Sequence, residues 1–220
     1  MPYQHLNLSG AAIDLPLGKV VCVGRNYADH ARELNNPVPT EPVLFIKPCT
    51  ALCPIGEPIR RPEGKGSCHY ETEICLLIGE QLTAAREEEA LGAICGVGLG
   101  LDLTLRELQS ELKTKSLPWE KAKAFDGSCP VSAFAPAESF PDWSNLSFQL
   151  LLNDQSQQEG RSEDMLTQIP ALLAYISEHF TLLPGDLVMT GTPAGVGPLS
   201  FGDRLELRLA DQIHVKTEVI

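Results

Sequence analysis

The sequence predicts an α+β fold built on a mixed β-sheet, and three observations lead there. Short β-type runs outnumber helical ones and fall in uneven blocks, unlike the regular alternation of a βαβ series. No Gly-x-Gly-x-x-Gly follows the first strand, so a dinucleotide-binding unit has no support. A mid-chain run of alternating Gly and aliphatic residues reads as a strand that neighbouring backbone approaches closely. Hydrophobic residues at 43% and charged residues at 21% of 220 are ordinary globular proportions, so one unit over 1–220 is expected, with a lead-in over about 1–18.

Residues 19–24 (KVVCVG) form the first apolar β-type run, followed by Asn26 as a helix cap and a helix over 27–34 that Asn35-Asn36-Pro37 ends. Residues 43–46 read as a buried strand, and 68–78 (CHYETEICLLI) as a longer one stopping at Gly79. A helix over about 84–91 leads into the Gly-rich strand, 93–104 (AICGVGLGLDLT). A helix over about 105–113 and a polar loop with Pro118 and Trp119 follow. Residues 146–152 make a hairpin with Asn153-Asp154 as its turn. Ser162 is expected to cap a helix with Glu163 and Asp164 in its first turn and Ile169, Leu172, Leu173 and Ile176 on its apolar face. The turn Pro184-Gly185-Asp186 feeds a strand over 187–190, and 204–209 with 213–219 alternate as a closing hairpin.

Seventeen Lys plus Arg against 29 Asp plus Glu give a formal charge of −12, which disfavours nucleic acid and membrane surfaces as partners. No run approaches the roughly 18 apolar residues of a spanning helix, and Met1-Pro2-Tyr3-Gln4-His5 lacks a charged-then-apolar leader, so a cytoplasmic address is expected. Seven irregularly spaced cysteines without a Cys-x-x-Cys pair read as reduced core residues. Cys49 and Cys53 with His69 lack the paired spacing of a zinc site.

Glu71 and Glu73 lie two apart on a predicted strand and leave the same face, which His69 shares. Like-charged carboxylates beside the apolar run 74–78 need a partner, and a divalent cation is one; the bland alternative is the solvated face of an edge strand. Asp102, a lone acid ending the Gly-rich run, tilts the balance, since three carboxylates suit Mg²⁺ or Mn²⁺ and not zinc. His30 and Glu33 share a helix face, where a carboxylate orients an imidazole, although most such pairs are exposed and inert. Lys121 and Lys123 carry no local mark that separates them. The Gly- and Pro-rich segment 190–198 follows a strand and offers amides and hydroxyls to an anion, or is a plain turn. No Gly-x-Ser-x-Gly nucleophile motif is present, and Cys129 has no catalytic signature around it.

In order, Gly24-Arg25-Asn26-Tyr27 with His30 and Glu33, Phe45-Ile46-Lys47-Pro48, His69-Tyr70-Glu71-Thr72-Glu73, Asp102-Leu103-Thr104, Lys123-Ala124-Phe125-Asp126 and Thr190-Gly191-Thr192-Pro193-Ala194-Gly195-Val196-Gly197 resemble the fumarylacetoacetate hydrolase family. The match runs from about Lys19 to the end, and at this length it resembles the short members that act on acylpyruvates and oxaloacetate. The additional amino-terminal domain of the long tyrosine-pathway enzyme has no counterpart here. The resemblance implies a mixed β-sheet roll of that family's C-terminal-domain type, a homodimer, and Mg²⁺ or Mn²⁺ held by Glu71, Glu73 and Asp102. It further implies His30 and Glu33 as a water-activating pair on a segment that orders over the ligand, Lys123 near the reacting group, and Arg25, Arg106, Gln109 and Thr192 lining the substrate site. The Lys-x-Phe-Asp match favours Lys123 over Lys121. Leu101 departs from the polar residue that many relatives carry before the metal-binding Asp.

The activity implied first is metal-dependent hydrolysis of the C–C bond of an acylpyruvate, a small 2-oxo acid, through a pyruvate enolate. Decarboxylation or keto–enol tautomerisation of oxaloacetate reaches the same enolate and ranks next, with 2-hydroxyhepta-2,4-diene-1,7-dioate isomerisation third. A non-catalytic, metal-dependent dicarboxylate-binding protein is the reading from another class, and it would have no use for His30, Glu33 and Lys123.

Overall fold

The computed structural model describes residues 3–220. All seven residues of the strand Thr72–Ile78 are buried, as expected of a strand with an apolar face on both sides. Ile74, Leu76 and Ile78 enter the main core, whereas Cys75 and Leu77 enter a second, smaller one. This strand lies at the centre of a mixed sheet that runs in the order Val43–Lys47, Val20–Gly24, Leu187–Met189, Thr72–Ile78, Ile94–Leu101, Cys129–Val131, Leu52–Pro54, with Ala135–Pro136 also paired to Ile94–Leu101. Val20–Gly24 pairs with Leu187–Met189 in parallel, as Leu52–Pro54 does with Cys129–Val131, and the other pairings are antiparallel.

A second sheet of four antiparallel strands, Gln155–Arg161, Ser147–Leu152, Arg204–Leu209 and Ile213–Glu218, contributes Phe148, Leu150, Leu205 and Leu207 to the main core. Its hairpin turn falls at Asn153 and Asp154 as expected, both with positive φ of 51° and 66°. The helix Ile169–His179 adds Ile169, Leu172, Leu173 and Ile176 to the same core. Among the described residues no helix is long and apolar enough to cross a membrane.

A small third sheet positions the site. The expected strand 68–78 is two strands, Cys68–Tyr70 and Thr72–Ile78, interrupted at Glu71. The expected strand 93–104 divides likewise, into Ile94–Leu101 and Thr104–Leu105, with Asp102 in the gap. The two long stretches pair in one antiparallel register, Thr72 with Leu101 and His69 with Thr104, so both breaks fall at the same level. Each outer piece leaves the main sheet for the small one, where Cys68–Tyr70 lies between Thr104–Leu105 and Gly197–Pro198.

Several local expectations are corrected. Asn26 does not cap the helix Ala28–Glu33; Tyr27 holds that position, and the Asn26 side chain ties together Thr167 and Thr190. Ser162 opens only a 3₁₀ turn, with its hydroxyl accepting the Leu146 N–H, and the long helix starts after Gln168, where Pro170 suits the first turn. The helix expected over 84–91 shrinks to Glu87–Ala90, and the loop after Trp119 contains the short helix Glu120–Lys123. Strand Val43–Lys47 is half-buried until Lys47. The cysteines are all free, but Cys49 and Cys95 are exposed and do not belong to the core.

The glycines of Ile94–Leu101 make room for side chains more than for backbone. A Cβ on Gly98 would lie 3.0 Å from Ser132 Oγ and 3.1 Å from the Phe134 ring, and one on Gly100 would lie 2.9 Å from the Met189 thioether. Gly98→Val should therefore cost about 1–3 kcal/mol in urea unfolding, the range for overpacking a filled interior. An unchanged unfolding midpoint would contradict the close approach of Phe134.

Candidate active site

The shared break in the two strands creates the site. The Asp102 N–H donates to the Glu71 carbonyl at 2.8 Å, so these residues face one another across the gap. Glu73 follows two residues along the strand and returns to the same side. The three side chains bring carboxylate oxygens within 4.8 Å of one another, and none is more than 5% exposed. His69, expected on the same face, is carried off by the change of sheet and bonds Ser67 Oγ at 3.1 Å.

Three cations answer these acids. Lys123, on the short helix Glu120–Lys123, donates to Glu71 Oε2 at 2.8 Å, Asp102 Oδ2 at 2.5 Å and Thr104 Oγ1 at 2.7 Å. Arg106 opens the helix Arg106–Thr114, bonds Glu71 Oε1 with one guanidinium nitrogen and reaches Gln109 Oε1 at 2.8 Å with the other. Lys47, fully buried, lies 2.8 Å from Asp102 Oδ1 outside hydrogen-bonding angles. Its ammonium is instead bonded to the carbonyls of Lys123, Ser128 and Leu103 and to Ser128 Oγ.

The charges separate two acids that sequence alone makes equivalent. Burial would raise the Glu71 carboxyl, but Lys123 and Arg106 outweigh it and hold Glu71 well below the ordinary carboxylate range. Glu73 goes the other way, pushed up by burial and by the Asp102 and Glu71 charges against a weaker downward pull from the Gly191 N–H. Burial disfavours the Lys123 ammonium, yet Asp102 and Glu71 reverse this and hold it above the ordinary lysine range.

The segment 190–198 does bind anions through its backbone, but they are the chain's own. Gly191 donates its N–H to Glu73 Oε2 at 2.6 Å, and Gly195 donates to Glu33 Oε1 at 3.0 Å. Gly195 has φ 98°, and a Cβ there would fall 1.9 Å from the Gln157 carbonyl. The other Glu33 oxygen lies 3.3 Å from His30 Nδ1, while His30 is buried against the cleft. Thr192 lines that cleft with its hydroxyl accepting from Gln158 Nε2 at 2.8 Å. Arg25 enters at the end of its strand with a left-handed φ of 62°, a rare conformation for a residue with a side chain.

All ten residues singled out from the sequence thus meet here. Lys121 is exposed and points to a different groove. Sequence reasoning gave no role at the site to three residues. Lys47 was signalled by a charge closing an apolar strand, the pattern that exposed Asp102. Lys113 and Trp119, which also line the cleft, lie in a stretch without local signal. The buried acids fit a hard divalent cation: the donors are all oxygen, Asp102 Oδ1 lacks a hydrogen bond, and Glu73 carries charge repulsion that a cation would relieve. Among the described residues this is the one cluster of potential ligands, and Cys49, Cys53 and His69 do not form another.

A curled mixed sheet that delivers buried carboxylates, a carboxylate-oriented imidazole and fixed cations to one cleft defines an enzyme site of the hard-metal type. Residues 19–220 match the family described as fumarylacetoacetate (FAA) hydrolase, C-terminal, and the chain belongs to that family of enzymes. It is 52% identical over 204 residues to the oxaloacetate tautomerase YcgM of Escherichia coli strain K12, covering 92% of this chain and 93% of that one. The crystal structure of a fumarylacetoacetate hydrolase family protein from Yersinia pestis CO92 superposes with a TM-score of 0.97 at 50% identity, over 99% of this chain and 100% of the other. Fumarylpyruvate hydrolase from Pseudomonas aeruginosa, in complex with Mn²⁺ and pyruvate, superposes with a TM-score of 0.93 at 32% identity, over 100% of this chain and 96% of that chain.

Two outcomes follow from the charge arrangement. Lys47→Met takes one of two cations from buried Asp102, leaving Lys123 alone beside it, and strips the donor from the Leu103, Lys123 and Ser128 carbonyls, which should cost about 3–5 kcal/mol in denaturant unfolding. Adding Mn²⁺ at about a hundred times its dissociation constant should stabilise the protein by about 2.7 kcal/mol, readable as a thermal shift of roughly 5–10 °C, and Glu73→Ala should abolish the shift.

Proposed function

We propose that the protein is a divalent-metal-dependent oxaloacetate keto–enol tautomerase, with Mg²⁺ or Mn²⁺ held by Glu71, Glu73 and Asp102. The observation that carries this reading is a single oriented imidazole, His30 on Glu33, lining the same cleft as the acidic triad without a side-chain nucleophile of its own. Tautomerisation asks for no more than a proton moved between C3 and the C2 oxygen. The similarity to YcgM over nearly the whole of both chains supports the same choice over the hydrolysis expected first from the sequence.

A bound divalent ion supplies Lewis acidity that draws electrons from the 2-oxo acid and favours its enolate. Glu33 holds Nδ1 of His30, leaving Nε2 to take the C3 proton and to return one at oxygen. Lys123 keeps Glu71 and Asp102 in place and adds positive potential beneath the developing enolate.

Acylpyruvate hydrolysis is the second reading, favoured by the likeness to fumarylpyruvate hydrolase, and it uses His30 and Glu33 to activate water. A panel of enol-oxaloacetate, acetylpyruvate and fumarylpyruvate under one Mn²⁺ condition separates the two. The tautomerase reading expects fast loss of enol absorbance, slow or absent pyruvate release, and a fall of about 10²–10⁴-fold in rate for His30→Ala with Mn²⁺ affinity retained. Pyruvate release from fumarylpyruvate, with enol loss no faster than in buffer, would replace it with the hydrolase.

A further inference from the structure

The cleft contains more positive charge than its acids require. Lys47, Lys123 and Arg106 already face the three carboxylates, yet Arg25 and Lys113 line the same cleft, and the side chain of neither forms an ion pair or a hydrogen bond among the described residues. Lys113 comes from the last turn of Arg106–Thr114 and sets its ammonium 5.0 Å from the centroid of the Trp119 ring, a face that supports a cation without neutralising it. Its surroundings are hostile to charge: burial, then Arg25, Arg106 and Lys123, push the Lys113 ammonium down to about 8, with only a weaker upward pull from Glu71. Arg25 is held there by a strained left-handed backbone, and such outliers persist where the fold over-determines them. In a protein with a formal charge of −12, two half-buried cations without acidic partners concentrate positive potential where an anion would be matched.

We propose that Arg25 and Lys113 form a subsite for the second carboxylate of the substrate, making the cleft selective for dicarboxylic acids over the same acids lacking that group. The proposal rests on the cleft holding small 2-oxo or 2-hydroxy acids through a divalent ion on its acidic triad, as in the function proposed above, and it gives Lys113 a specificity-determining role. Arg25 directly follows the strand Val20–Gly24 and Lys113 lies in the helix Arg106–Thr114, so the two would approach a carboxylate from separate parts of the chain. Trp119 supports Lys113 and lies 6.2 Å from Phe45, whose ring in turn lies 5.1 Å from the Lys123 ammonium. An aromatic wall therefore runs between the reacting end and the proposed distal end.

Malate and lactate test this directly, since lactate is malate without the distal carboxylate and neither is converted by proton transfer at C3. Calorimetric titration of the Mn²⁺-loaded protein should show malate binding tighter than lactate. Lys113→Met should weaken malate by about ten- to a hundredfold, the span of one charge-assisted hydrogen bond, and leave lactate unchanged. Lys113→Arg should restore most of the malate affinity. Equal binding of the two acids by the wild type, or an equal loss for both in Lys113→Met with an unchanged thermal midpoint, would overturn the subsite. If malate is preferred, and Lys113→Met removes the preference, in a protein that does not tautomerise oxaloacetate, the subsite stands and the proposed activity falls.

Discussion

Three carboxylates buried within a few ångströms of one another are the constraint on which this structure depends, and the cations around them decide how it is met. Lys47 and Lys123 are side chains that folding normally keeps in water, yet both are brought fully inside. Lys47 is additionally anchored to three carbonyls, so it joins Val43–Lys47 to the segments around Lys123 and Ser128. The same ammonium therefore offsets the Asp102 charge and ties an outer strand of the main sheet to the wall of the cleft.

The backbone is equally implicated. Glu71 and Asp102 occupy paired interruptions where two neighbouring strands pass from one sheet to another, and their main chains bond across the gap. The acids are therefore fixed by backbone pairing in the buried interior, and not by a loop. His30 and Glu33 are placed differently, on a short helix with a surface-exposed link from Glu33 to the Gly195 amide. The acid cluster on the sheets and the proton carrier on a short helix thus reach one cleft from separate parts of the fold.

Much of this was legible in the residues. Period-two spacing placed Glu71 and Glu73 together, and the isolation of Asp102 at the end of an apolar run marked it as internal. The longer strands were found because apolar β-type runs bounded by Gly, Pro and Asn mark them, whereas Leu52–Pro54, Cys129–Val131 and Ala135–Pro136, of three residues or fewer, are too short to leave such a run. The interruption at Glu71 was not legible, because nothing in Tyr70-Glu71-Thr72 breaks a strand; the partner strand's own break at Asp102 imposes it. The Ser162 cap failed because Pro170, eight residues later, is the stronger start signal. The distinction between Lys121 and Lys123 is tertiary, since it depends on which side of a four-residue helix meets the acids.

The parallel pairing of Val20–Gly24 with Leu187–Met189 carries a consequence for biosynthesis. As the chain leaves the ribosome, the first strand finds Val43–Lys47 early, but its opposite edge stays open until a segment more than 160 residues downstream has been made. At about 5–20 residues per second that is an interval of roughly 8–30 s, during which a bare apolar edge is available to other nascent polypeptides. Protection of that edge by chaperones is thus a demand that the topology itself places on the cell.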